Sequence, residues 1–310
     1  MNKITNRQVI CDTLVEFGKT DRDIVVLTSD SRGSASLANF ARELPGQLFE
    51  VGIAEQNVVG IAAGLAVSGK KPFVASPASF LSMRSIEQIK VDVGYSRTNV
   101  KLIGISGGLS YGALGMSHHS LQDIAVMRAI PGIDIVLPAD RFESRLMIKA
   151  LLASSRPAYV RIGRNAVADI YESEDYDFEI GKAVTLTQGD DITIIAAGET
   201  VKVAIDSAAA LKDMGVACRV LNMHTIKPLD EAAILKAARE TGRIITIEEH
   251  SIFGGLGSAV AEVVAQHCPV PVKILGIPDE PAVPGKSQEV FAYYGLCVEN
   301  VKAIAWQLIK

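Results

Sequence analysis

The sequence predicts an α/β protein of two units, each a parallel or mixed sheet covered by helices. Three observations predict it. Short β-branched runs alternate with longer helical patterns along the whole chain, as in parallel strands joined by crossover helices. The runs fall into two sets, separated by an acidic, weakly periodic stretch, RNAVADIYESEDYDFEIGKA. A length of 310 residues also suits two domains better than one. This reading places a first domain at residues 1–165, a linker at 166–185 that can touch down as a short edge strand, and a second domain at 186–310.

Taken in order, MNKITNRQVICDTL reads as the start of an amphipathic helix. The first strand is IVVLTS (24–29), followed by PFVAS (72–76), KLIGIS (101–106), DIVLP (134–138) and AYVRI (158–162). Each is a short apolar run bounded by polar residues, glycine or proline, as expected for strands covered on both faces. Between the first two, Ala54 to Val67 is built from Ala, Gly, Val and Ile, so this helix should be buried over most of its body. The second set is ITIIAA (192–197), ACRVLN (217–222), RIITIE (243–248) and VKILGI (272–277).

Composition narrows the function classes. A net charge of −4 offers no electrostatic footing for nucleic acid or an anionic membrane. No signal peptide or membrane-spanning run is visible, which points to the cytoplasm. Cys11, Cys218, Cys268 and Cys297 lie far apart and form no CxxC pair, so they read as thiols in a reducing compartment, not as a metal site or disulfide framework.

In open parallel sheets, ligands bind beyond the carboxyl ends of the strands. That rule gathers Ser29-Asp30-Ser31, Ser76 to Phe80, Ser106-Gly107-Gly108 and Arg161 to Arg164 on one rim, together with Glu55. Glu55, in LFEVGIAEQN, puts a carboxylate at the start of a buried helix, where it is costly unless something pairs with it. A plainer alternative is an acid stabilised by the helix dipole. Phe80 is either a core residue or a stacking face. His118-His119, in tandem on a glycine-rich loop, are seldom core residues, and no further spaced ligands suggest a metal. Arg7, Ser34 and Arg161 are ordinary surface residues when taken singly.

Taken together and in order, TNRQV, LTSDSRGS, VGIAEQN, PASFLS, GGLSYGALGMSHHSLQD, MRAIPGIDIVLPAD, PAYVRIGRN, LNMHTIKPLD and EEHSIFGGLGSA resemble the pyrimidine-binding and carboxy-terminal domains of thiamine diphosphate enzymes of the transketolase family. The resemblance implies transfer of a two-carbon ketol unit from a ketose to an aldose, with thiamine diphosphate as cofactor. It implies that Glu55 shares a proton with the cofactor's pyrimidine nitrogen, that Phe80 stacks on that ring, and that Asp30 lies near it. His119 would face the reacting carbon, and His118 would be a second substrate contact or simply exposed. Arg7, Ser34 and Arg161, with Arg164 as the alternate to Arg161, would hold a terminal anion of the substrate, a task suited to arginine's planar fork. The PADRFES turn and IKPLD are also similar to deoxyxylulose-phosphate synthase and to the β subunits of 2-oxo acid dehydrogenases, so a decarboxylating subunit is an alternative. A non-catalytic scaffold is an alternative of another class, opposed by the presence of Glu55, Phe80 and His119.

Two departures from the family pattern bear on substrate. Gly107-Gly108 replaces a His-Asp, and Gly115-Met116-Ser117-His118-His119 replaces Asp-Gly-x-Thr-His. Both losses point away from ordinary pentose phosphates and toward a branched, shortened, sulfonated or otherwise modified sugar. No GDG…N-type loop occurs, and GGLGSA (254–259) is a glycine-rich turn that by itself is weak evidence for phosphate binding. The resemblance therefore implies a separate amino-terminal subunit that holds the diphosphate and Mg2+ or another divalent cation, in an α2β2 assembly.

Overall fold

The computed structural model describes residues 4–310. Met1, Asn2 and Lys3, the first residues of the expected amino-terminal helix, lie outside the described residues. Thr5 caps that helix over Asn6–Gly18, its hydroxyl accepting the Gln8 N–H at 3.2 Å. In chain order the strands are β1 (Ile24–Thr28), β2 (Leu48–Glu50), β3 (Lys71–Pro77), β4 (Lys101–Ile105), β5 (Asp134–Val136) and β6 (Ala158–Arg161), then β7 (Val184–Thr187), β8 (Ile192–Ala196), β9 (Cys218–Asn222), β10 (Thr225–Lys227), β11 (Ile244–Ser251) and β12 (Val272–Ile277). All the expected runs form strands. The helix expected to be buried over most of its body runs from Glu55 to Val67 but is buried on one side only: Glu55, Val58, Val59, Ala62 and Ala63 are covered by the core, whereas Gln56, Asn57, Ile61, Gly64 and Val67 are exposed.

Two sheets result. The first has the order β10-β5-β6-β4-β3-β1-β2 and the second β12-β11-β8-β9-β7. Each is parallel in its interior and closed by an antiparallel edge strand: β7 on β9, and β10 on β5. The second pairing crosses between the units, because β10 lies after β9 in the chain yet completes the first sheet, with Thr225 opposite Val136. Three residues carry too little periodicity to announce such a strand, and β2 escaped notice for the same reason.

The units share their interior. One apolar cluster includes Val74, Leu102 and Ile135 from the first sheet and Ile195, Leu221 and Ile244 from the second. A polar knot secures the same junction. Glu143 accepts the Ala139 N–H at 2.6 Å and the Asn222 side-chain N–H at 2.9 Å, and the hydroxyls of Tyr171 and Tyr176 donate to it at 3.2 and 3.3 Å. The two tyrosine rings stack with centroids 4.1 Å apart. Between β6 and β7 the chain forms neither helix nor strand, but it is fastened throughout. The Ile170 and Tyr171 N–H groups donate to Asp140 at 2.7 and 2.9 Å, and Glu174 pairs with Arg145 and Lys149 at 2.9 and 2.5 Å.

Complete burial pushes Glu143 up to about 7 from the ordinary 4.5. The folded state therefore holds this proton more tightly than the unfolded chain does. Its stabilising contribution is full below the unfolded value and is lost as pH rises through the folded one. Glu143→Gln cannot titrate and should remove this slope. The unfolding free energy of wild type minus that of the variant should fall by on the order of 3 kcal/mol between about pH 4.5 and 7.5, then level off. Urea denaturation at stepped pH checks it, and a pH-independent difference would place the titration elsewhere.

Candidate active site

The rim of the first sheet is built from residues just past β1, β3, β4 and β6. Asp30, two residues past β1, and Ser106, immediately after β4, have φ of 51° and 54°, a left-handed backbone that non-glycine residues seldom adopt. Local hydrogen bonds sustain it at the first: Asp30 N–H donates to the Glu50 carboxylate at 2.6 Å, and the Ser29 and Ser76 hydroxyls meet at 2.8 Å. The Asp30 side chain is exposed on this rim.

Glu55 opens its helix immediately after a turn at Gly52, whose φ is +73°, and is only 5 % exposed. Its partner is Arg84, which donates to Oε1 at 3.1 Å. Arg84 lies one turn along the helix from Phe80, and its guanidinium carbon is 4.0 Å from the centre of the Phe80 ring. Glu55 and Phe80 thus grip the same flat cation, one by hydrogen bond and one by its ring face. An aminopyrimidine ring, flat and able to hydrogen-bond at its edge, matches that pair of contacts, so these residues fit thiamine diphosphate's ring. A cavity of about 670 Å³ opens beside them, lined by Ile53, Glu55, Gln56, Asn57 and Arg84.

A string of rings and guanidiniums continues from Phe80. The His118 ring meets it edge-on at 5.1 Å, Tyr111 meets His118 at 5.3 Å, and Arg164 lies over Tyr111 at 5.2 Å. Arg7 then donates to the Arg164 carbonyl at 2.6 Å and to the Ser34 carbonyl. The Arg7 Nε is buried without a partner, and burial together with the nearby Arg164 charge lowers the Arg7 pKa. Two guanidiniums brought together by the fold make a place where an anion would relieve repulsion. A cavity of about 1000 Å³ adjoins it, lined among others by Tyr111, Leu114, Arg164 and Lys286.

His119 is buried, and its Nε2 sits 2.9 Å from the Gly112 carbonyl. A carbonyl only accepts, so Nε2 carries the proton and Nδ1 is left as a lone pair, buried without a partner. Burial lowers its pKa, keeping the ring neutral. It is His118, half-buried, that faces Phe80.

Arg161 departs from the sequence-based expectation. It does not join Arg7 and Ser34. Only 6 % exposed at the end of β6, it donates to the Glu249 carbonyl at 2.5 Å and lies 3.4 Å from Asp123 and 3.6 Å from the Glu249 carboxylate. On β6 its side chain points into the junction between the units, whereas Arg164, past the strand end, reaches the rim. GGLGSA is likewise accounted for: Glu248 accepts the Leu256 and Gly257 N–H groups at 2.7 and 2.8 Å, filling that helix start with the protein's own carboxylate. Among the described residues no group of three or more His, Cys, Asp or Glu could hold a metal ion. Arg84 and Tyr111 were missed in the sequence. A helical spacing of four from Phe80 was the available sign for Arg84, and nothing distinguished Tyr111 within its loop.

Residues 2–169 match the transketolase pyrimidine-binding domain and residues 181–301 the transketolase C-terminal domain. The chain is 55 % identical to a subunit of the apulose-4-phosphate transketolase of Phocaeicola vulgatus, over 100 % of this chain and 99 % of that one. It is 37 % identical to a 6-deoxy-6-sulfo-D-fructose transketolase subunit of Clostridium sp. (strain MSTE9), over 98 % and 94 %. Its fold matches a solved split-gene transketolase, described as an inactive β4 tetramer, with a TM-score of 0.90 at 38 % identity over 99 % of this chain and 98 % of that one. The chain therefore belongs to the transketolase family and spans the family's pyrimidine-binding and C-terminal domains.

Proposed function

We propose that this chain is the pyrimidine-side subunit of a thiamine diphosphate-dependent transketolase that moves a two-carbon ketol unit between a modified, anionic ketose and an aldose. The observation that carries the reading is the joint grip of Glu55 and Phe80 on one planar cation. When bound, the cofactor supplies a nucleophilic carbon that accepts and releases the two-carbon unit. In this reading Glu55 shares a proton with the ring nitrogen, Phe80 offers its face to the ring, and Asp30 lies beside it on the rim. His119 presents its free Nδ1 to the reacting oxygen, and His118 contacts the substrate next to Phe80. Arg7 and Arg164, with Ser34 beside them, take the substrate's distal anion in place of Arg161. The substrates named for the two relatives, a sugar phosphate and a sulfonated sugar, fit such an anion site.

The diphosphate and its Mg2+ then belong to a partner subunit, in an α2β2 assembly within the cytoplasm. The inactivity ascribed to the β4 relative supports the need for that partner. No helix among the described residues is long and apolar enough to cross a membrane.

Four outcomes test the reading. In the assembled enzyme, Glu55→Gln should cut turnover by about 100-fold or more with the fold intact by circular dichroism, because an amide cannot share the activating proton. A variant that retains most of its rate would assign Glu55 another role. Calorimetry of the free chain with thiamine diphosphate and magnesium should show no submicromolar binding; tight binding would remove the case for a second subunit. Arg164→Ala should lower kcat/KM for an anionic sugar by roughly 10- to 100-fold and barely touch an uncharged one, since each lost charge-assisted hydrogen bond is worth about 1.5–3 kcal/mol. Arg161→Ala should instead destabilise the fold by about 3–5 kcal/mol by stranding buried acids.

A further inference from the structure

The loop that carries both histidines, Gly107 to His119, belongs to the first unit but is fastened by the second. Its neck is closed by a bridge between Gly108 and Ser120, with N–H to O distances of 3.1 and 2.8 Å. Beside that bridge, Glu249 of β11 reaches across the junction and accepts the Leu109 N–H at 2.7 Å. No side chain fits at the neck. A Cβ on Gly107 would lie 2.5 Å from Arg161 Nε, and one on Gly108 would collide with both Arg161 Nη2 and the Glu249 carboxyl carbon. Gly108 also has φ of +60°, which strains any L side chain. Farther along the loop, a Cβ on Gly112 would stand 2.7 Å from the Gly285 carbonyl of the second unit. The carbonyl of Gly112 is the same group that holds His119 Nε2.

We propose that Glu249 is a positioning residue of the active site: by holding the Leu109 N–H it fixes the neck of the loop and so sets where His118 and His119 stand relative to Phe80. What the histidines then do rests on the transketolase reading, whereas the latch itself does not. The latch also gives the two glycines a physical reason. The space that a His-Asp pair would need is filled by Arg161 and Glu249, so this chain carries a backbone anchor where the family pattern has two side chains.

Hydrogen exchange on the full chain tests the latch without any need for activity. In Glu249→Ala, peptides covering residues 107–120 should exchange at least about tenfold faster, while those of β8 and β12 are unchanged. Arg161 keeps Asp123 in this variant. Glu249→Gln, whose amide oxygen still accepts from Leu109, should stay within about threefold of wild type. Gly108→Ala strikes the same contact from the loop side and should release the same peptides. In the enzyme reassembled with its diphosphate-binding partner, Glu249→Ala should lower kcat/KM for the sugar by about tenfold and leave the thiamine diphosphate Kd within about twofold. Unchanged loop exchange in Glu249→Ala would overturn the latch, as would equal losses for alanine and glutamine. A released loop with undiminished kcat/KM would overturn the positioning role.

Discussion

Arg161 has almost no contact with water, and a guanidinium so placed must be neutralised by its neighbours or the fold does not form. Its neutralising groups come from both units: Asp123 from the first, itself held by the Tyr159 hydroxyl at 2.7 Å, and Glu249 from the second. The docking of the two sheets is thereby an electrostatic requirement as well as an apolar one. Burial raises the Glu249 and Glu199 carboxyls above the ordinary carboxylate range, the Glu249 charge adding to the rise at Glu199, so the junction carries less negative charge than its acids would in water.

The site that hangs from this junction is one-sided. Glu55 and Arg84 line an open cavity, and apolar side chains are exposed beside them: Ile53, which lines the same cavity, and Met83, next to Arg84 in the chain. Apolar surface of this kind marks a place for another chain. The arrangement accords with the proposed partner, which would cover the face and complete the site with groups this chain lacks. Arg84 engages both residues assigned to the ring, as a guanidinium can because it stacks and donates in one plane.

Much of this was legible in the amino-acid string. The strands buried on both faces read as unbroken apolar runs, and the Glu55 helix betrayed itself through small residues behind a lone carboxylate. What stayed hidden depends on contacts between residues far apart in sequence. Arg161 and Arg164 differ by three positions and carry the same charge. Only the end of β6 decides that one turns inward to Asp123 while the other reaches Tyr111 on the rim. Arg84 looks like a surface residue until Phe80 and Glu55 are placed on either side of it. Gly107 and Gly108 read as lost side chains, whereas in space they are the clearance that Arg161 and Glu249 demand. The linker is a similar case: its acidic, weakly periodic sequence reads as a connection between domains, yet Tyr171 and Tyr176 place their hydroxyls on Glu143.

The excursion of β10 into the first sheet has a consequence for how such a chain can be divided. A cut in the linker would leave β5 as a raw sheet edge, its backbone groups facing solvent where Thr225 and Lys227 had paired. Unprotected edges of this sort recruit other strands and drive aggregation. The two halves of this chain are therefore poor candidates for separate expression or for exchange between relatives as modules. A crossover beyond Lys227 keeps β10 with β5 but divides the second sheet between β8 and β11, so neither position leaves both sheets whole.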